Sequence, residues 1–133
     1  MEYAEKVLIV GGVLNLGYGA ITGVIISRLR SSSPEVPRHL TLAHIGPLMQ
    51  GPMLLSLVIA LALSSLASGV EAFSAWLLVG GSVGIAAGDT LLWLSGSRDA
   101  FAERPPGFFL QAIGGVLTAV GIAIVIIGVF KGL

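Results

Sequence analysis

The chain has 133 residues, 55% of them hydrophobic and 11% charged, with a mean hydropathy of +0.97. Soluble domains carry roughly 25% charged residues, so this composition points to a single domain in a lipid bilayer. Seven basic side chains balance seven acidic ones with no block of either sign, which argues against nucleic acid as a partner, and the absence of cysteine excludes disulfides and thiolate metal sites.

The N-terminus, Met1 to Lys6, lacks the basic leader of a cleaved signal peptide. The first apolar run, residues 7–27, is too long for a signal h-region and is expected to be retained. Gly11, Asn15, Gly19, Gly23 and Ser27 recur along it at four-residue spacing, a stripe that lets a neighbouring helix approach closely. Asn15 is expected to hydrogen-bond between helices. Tyr18 lies near mid-membrane, where its hydroxyl needs a partner or a wet cavity. Residues 28–39 hold Ser31, Ser32, Ser33, Pro34 and Pro37 and read as a loop. The second run, 40–67, carries His44, Pro47, Gln50, Gly51 and Pro52, and residues 68–71 read as a tight turn. The third run, 72–95, carries Gly80, Gly84 and Gly88 in a second stripe, Asp89, and Trp76 and Trp93 as interface anchors near its two ends. Residues 96–107 form a second polar loop with Arg98, Asp99, Glu103, Arg104, Pro105 and Pro106. The fourth run, 108–130, has Gly114, Gly121 and Gly128 at heptad spacing.

Each run supplies the ~20 residues of a spanning helix, and none alternates polar with apolar residues as a barrel strand would. Short connections make neighbours antiparallel. The expected fold is an all-α membrane protein, four transmembrane helices in an up-down bundle. Arg28, Arg30, Arg38, Arg98 and Arg104 lie on one side, against Lys6 and Lys131 on the other. The positive-inside rule places the loops 28–39 and 96–107 in the cytoplasm and both termini outside, with a bacterial inner membrane as the expected location. An offset of 69 pairs Gly12 with Gly81, Gly19 with Gly88 and Gly46 with Gly115, suggesting two parallel hairpin repeats. The polar groups break the repeat: His44 aligns with Ile113, and Asp89 with Ala20. The small-residue stripes make a homo-oligomer a natural expectation.

Ionisable groups inside a membrane suggest function by default, and His44 and Asp89 are the two candidates, with Gln50 as a polar companion. At ~100° per residue, Pro47, Leu48, Gly51 and Leu55 share the face of His44, and Gly51 would leave a flat gap beside the imidazole. His44 reads either as a structural hydrogen bonder or as a ligand. There is no His-x-x-x-His or Glu-x-x-His pair, so zinc or di-iron is poorly supported. A single deep histidine would leave the sixth position of a haem iron open, which suits binding or Lewis-acid chemistry better than electron transfer. Asp89 reads either as a hydrogen-bonded carboxyl or as a buried acid that orients a substrate.

The run Ala43-His44-x-Gly46-Pro47-x-x-Gln50-Gly51 resembles the second helix of styrene oxide isomerases, Ala-His-x-Gly-Pro-x-x-Asn-Gly. Small size, four spans and the Gly81-Ser82 step in the third run fit the same family. The resemblance implies an integral membrane homotrimer that binds haem b through His44 near a subunit interface. It implies that Pro47, Leu48 and Gly51 lie beside the haem, and that the ferric iron, as a Lewis acid, isomerises a small hydrophobic epoxide to an aldehyde with no net redox change. Gln50 stands where the family has asparagine. Ungapped alignment from Gly81-Ser82 puts the family's aspartate at Ala87 and its tyrosine at Ser95, so Asp89 would serve only with a two-residue shift, and Tyr18 would substitute from the first helix. These departures keep two other readings in play: a non-catalytic haem sensor or redox protein, and a cofactor-free transporter or scaffold.

Overall fold

A computed structural model describes all residues, Met1–Leu133. It is all-helical: α1 (Tyr3–Arg30), α2 (Arg38–Ala62), α3 (Ser68–Leu94), a single turn α4 (Ala100–Glu103) and α5 (Pro106–Gly132). The four long helices are each long and apolar enough to cross a membrane, so the chain is an integral membrane four-helix bundle. Val10, Leu14, Ile21, Ile59 and Val116 are each more than half exposed on its outer face. Such side chains match lipid rather than water.

α1 packs on α2 and α3 packs on α5, while α3 also receives both α1 and α2. Glycine decides each close approach. On α1, Gly12 meets Leu55 and Gly51, Gly19 meets Leu48, and Gly23 meets His44. Gly11 and Asn15 of the same stripe turn instead to α3: Gly11 sits against Val79, and Asn15 Nδ2 donates to Ser82 Oγ at 3.0 Å. The α3–α5 seam is tighter still. A Cβ at Gly88 would stand 2.7 Å from Gly107 O, and one at Gly84 would stand 3.1 Å from Gly114 Cα. Gly80 faces open space, so the stripe on α3 runs through Gly81, Gly84 and Gly88, not Gly80, Gly84 and Gly88. The heptad glycines of α5 all face inward, Gly114 on α3, Gly121 on Leu78 and Gly128 on Ser64 and Leu66. The two hairpins use offset-related glycines but not the same register. Gly12 meets Gly51 and Leu55, yet Gly81 meets Gly114 and Thr118, where the offset would have placed Val120 and Ile124.

Two boundaries differ from expectation. α2 stops at Ala62 rather than 67, and the tight turn lies over 63–67, so Ser68 to Glu71 form the first turn of α3. Serine accounts for the shift, because its side chain competes for backbone groups. Ser64 Oγ accepts from Leu66 N at 3.1 Å, and Ser65 N donates to Gly128 O at 3.2 Å. The second polar loop also contains an unexpected turn of helix. Asp99 Oδ1 caps it, accepting from Phe101 N and Ala102 N at 3.1 Å each. Arg104 ends it at φ 46°, and Pro106 opens α5 at a position where its missing N–H has no helical partner to lose.

Glu103 closes this loop. Its Oε1 accepts from Asp99 N at 3.0 Å and Arg98 N at 3.1 Å, and these bonds hold its carboxyl below the usual carboxylate range, the Asp99 bond most of all. A carboxyl lowered by folding stabilises the fold fully above its unfolded pKa, and that contribution is lost as pH falls through the folded value. Protection of the Arg98 and Asp99 amides against hydrogen exchange should therefore be lost on acidification, as the Glu103 carboxyl becomes protonated. In Glu103→Gln, protection should be lower and flat over the same acidification.

Apolar packing and buried polar groups occur in both halves of the bundle. The main apolar cluster joins Ala4 and Leu8 to Leu54, Leu61, Ala75, Leu78 and Val125, at the end holding the chain termini. The half beside the two long connections holds His44, Asp89 and Gln111.

Candidate functional site

His44 sits in the second turn of α2, about 9 Å from the helix start at 1.5 Å per residue. It points at α1, where three groups surround the ring. Nδ1 lies 2.7 Å from Gly19 O and 3.5 Å from Thr22 Oγ1, and a Cβ on Gly23 would stand 2.8 Å from Cε1. A carbonyl oxygen can only accept, so Nδ1 carries the proton of the neutral ring. Nε2 then holds its lone pair free. Nε2 has no hydrogen-bond partner in the subunit and is not among its enclosed polar atoms. Fixing one ring nitrogen on a backbone carbonyl and presenting the other is how proteins orient a metal-binding imidazole. It is also a sound interhelical hydrogen bond.

Of the residues expected beside His44, Leu48 and Gly51 are covered by α1. Pro47 is buried. Leu48 packs on Gly19, and the gap foreseen at Gly51 is taken by Leu16 and by the α1 backbone, with Gly12 O 3.0 Å from a Cβ there. Leu48 and Gly51 therefore build the α1–α2 seam inside the subunit. Pro47 and Pro52 are both accommodated within one continuous helix.

Asp89 lies across α2 from His44. Gly46, two residues after His44, points ~160° away from it, and a Cβ on Gly46 would stand 3.8 Å from Asp89 Oδ2. The other carboxylate oxygen accepts from Gln111 Nε2 at 2.6 Å, and Asp89 is 3% exposed. Gln50, one turn beyond Gly46, shares that side of α2, and its Oε1 is buried without a partner. Asp89, Gln111 and Gln50 thus stand on the α3–α5 side of α2, and His44 stands on the α1 side.

Tyr18 turns to a third seam. Its hydroxyl and Thr90 Oγ1 are 2.5 Å apart, and Thr90 Oγ1 donates in turn to Ala86 O at 2.7 Å. With Asn15 they border a largely apolar groove of about 610 Å³ between α1 and α3, walled by Leu14, Val83 and Leu91. His44 does not line it. Tyr18 therefore has the hydroxyl partner sought for it, and the groove beside it is apolar rather than wet.

Sequence reasoning missed Thr22, Thr90 and Gln111. Gln111 had a signal, since it is the one side-chain amide in the last span. The two threonines had none, because threonine also occurs in spans as a self-satisfied residue: Thr22 Oγ1 also donates to Gly19 O at 2.9 Å. No group of three or more His, Cys, Asp or Glu side chains converges anywhere in the chain. No protein-family model matches the chain, and no curated protein and no solved structure matches it.

Proposed function

We propose that the chain is a membrane haem-b protein in which His44 Nε2 is the one protein ligand to iron, and that it isomerises a small hydrophobic epoxide to an aldehyde. The observation carrying the haem assignment is the 2.7 Å bond from Nδ1 to Gly19 O, which sets the tautomer and leaves Nε2 available. The second support is the resemblance of the run 43–51 to styrene oxide isomerases. When bound, ferric haem would supply Lewis acidity toward the epoxide oxygen, a task that needs one open coordination position and no net electron transfer.

The chain's own residues divide this work unequally. His44 holds and orients. Gly23 leaves room for the ring, and Thr22 and Gly19 fix its rotation. His44 lines neither of the two main cavities, so the walls of a haem pocket belong on the outer surface of the bundle. That placement fits a homotrimer in which a neighbouring copy completes the pocket. The arginine-rich loops 28–39 and 96–107 face the cytoplasm in this reading, and a bacterial inner membrane is the setting it suggests.

A second reading, a haem binder without turnover, is favoured by one specific arrangement. Asp89 is tied to Gln111 and Tyr18 to Thr90, each on a seam that His44 does not share. The test is an absorption spectrum of detergent-purified protein after haem supplementation, followed by incubation with styrene oxide. A Soret band at about 400–430 nm with aldehyde formation supports the enzyme. The band without aldehyde selects the haem binder. A colourless protein overturns both and leaves a cofactor-free transporter or scaffold.

A further inference from the structure

We propose that the groove between α1 and α3 binds a small lipophilic molecule carrying a hydroxyl group, with Asn15 Oδ1 accepting its proton. The hydrogen bonds around Asn15 fix which way its amide points. Nδ2 donates to Gly11 O at 2.9 Å and to Ser82 Oγ at 3.0 Å. A carbonyl oxygen only accepts, so the nitrogen faces Gly11 and the amide oxygen faces away from it. Ser82 returns no proton, because its hydroxyl donates to Val79 O at 2.8 Å. Asn15 is 6% exposed and borders the groove. Its Oδ1 accepts from no group in the chain and is not among the enclosed polar atoms. Buried polar atoms are nearly always paired, and an acceptor without a donor inside a bilayer is costly.

Every donor beside the groove is committed. Thr90 Oγ1 donates to Ala86 O at 2.7 Å and therefore accepts from the Tyr18 hydroxyl. Tyr18 stands three residues from Asn15, on the same face of α1 and about 4.5 Å further along the axis. The groove thus offers Asn15 Oδ1 and a free lone pair on Tyr18 Oη, and no donor. The rest of its wall is apolar, formed by residues such as Leu14, Val79, Val83 and Leu91. An ether, epoxide or aldehyde would set lone pair against lone pair here, so this site is separate from the reaction proposed at His44. Depth narrows the class further. Asn15 lies about 18 Å from the start of α1 and about 22 Å from its end, near the middle of a hydrocarbon layer about 30 Å thick. A lipid hydroxyl anchored at the headgroup level does not reach it, and acyl chains carry no donor. A water would donate to Oδ1 but would find no donor for its own oxygen. An alcohol or phenol dissolved in the bilayer satisfies the acceptor and covers the apolar wall, and about 610 Å³ is within the range of small-ligand sites.

The test uses the full-length protein in detergent and reads its thermal midpoint during titration with 2-naphthol or with 2-methoxynaphthalene, which keeps the rings and the oxygen but lacks the donor. A binder of the folded state raises the midpoint as it saturates. 2-Naphthol should act at about one-tenth of the concentration that 2-methoxynaphthalene needs, the worth of one buried neutral hydrogen bond. Asn15→Leu should erase that preference. Asn15 also ties α1 to α3, so Val83→Trp serves where that variant fails to fold. Val83 is 57% exposed on the groove wall, and an indole there should abolish the response to both probes. The same results are expected with and without haem, because His44 does not line the groove, so a colourless protein leaves this proposal standing. Equal responses to the two probes overturn it and mark the groove as a seat for acyl chains or a neighbouring helix. No response to 2-naphthol overturns it too, as does a response that Val83→Trp leaves unchanged.

Discussion

Gly114→Ala is expected to destabilise the bundle by roughly 2–3 kcal/mol, at the upper end of the range for overpacking a tight interior, while Gly115→Ala should be neutral or stabilising by up to about 1 kcal/mol. The two glycines are neighbours on one helix in one apolar environment. They differ in what a methyl group would meet. At Gly114 it would stand 2.6 Å from Gly81 O, 2.7 Å from Ile85 N and 3.0 Å from Gly84 C, all backbone atoms. No side-chain rotation relieves such contacts, so α3 and α5 must move apart along their whole seam. At Gly115 nothing lies within 4 Å, and the substitution only removes the helix penalty of glycine. In lipid the attraction between helices is packing and hydrogen bonding, not the hydrophobic effect. A seam opened by a few tenths of an ångström therefore loses part of the attraction that held it. Reversible unfolding in mixed detergent, followed by circular dichroism, reads both variants. Equal losses at the two positions would mean that the outer face of α5 is covered as closely as the inner one.

The same contrast separates what could be read from the chain from what could not. Four spans, their antiparallel order and the heptad glycines of α5 follow from apolar run length and from spacing, which are properties of one helix at a time. Which of two adjacent glycines faces a partner is a property of two helices together. Gly80 had the right spacing and points outward, while Gly81, next to it, carries the contact. The register of the second hairpin was hidden for the same reason. Its longer connection, with Asp99 capping α4 and Pro105 and Pro106 restarting the chain, shifts α5 along α3 without changing which α3 glycines are used. The end of α2 was misplaced because apolar residues continue past Ala62, and the local signal that mattered was Ser64-Ser65. Around His44, spacing grouped Leu48 and Gly51 on its face, and both face α1 as His44 does. It could not tell whether a helix or a cofactor would cover that face, because both need the same flat, apolar surface. Nor could spacing place Asp89 opposite His44 across α2, since that depends on where α3 docks.

His44→Ala is expected to abolish the Soret band outright and to cost no more than about 1 kcal/mol of stability, the net contribution of one ordinary hydrogen bond. The imbalance follows from the acceptor. Gly19 O also accepts from Thr22 Oγ1 at 2.9 Å, so losing the imidazole does not leave the carbonyl unpaired. If His44 were only an interhelical hydrogen bonder, stability would be the sole readout to move, and it would move little. A ligand has no substitute elsewhere in a chain without cysteine and with one other histidine, His39, five residues away near the helix start. Gly23→Ala gives an independent test that keeps the imidazole. Its Cβ would stand 2.8 Å from Cε1 and 3.2 Å from Nδ1, so the ring must tilt away from the geometry that Gly19 O imposes. Disturbing the outer hydrogen bond of a ligating histidine costs about 10–100-fold in metal affinity, and haem retention on dilution should fall by that factor while the helical signal persists. A Gly23→Ala protein that holds haem as tightly as the parent would mean that the Nδ1 bond does not orient a ligand, and a His44→Ala protein that stays coloured would remove His44 from the haem site altogether.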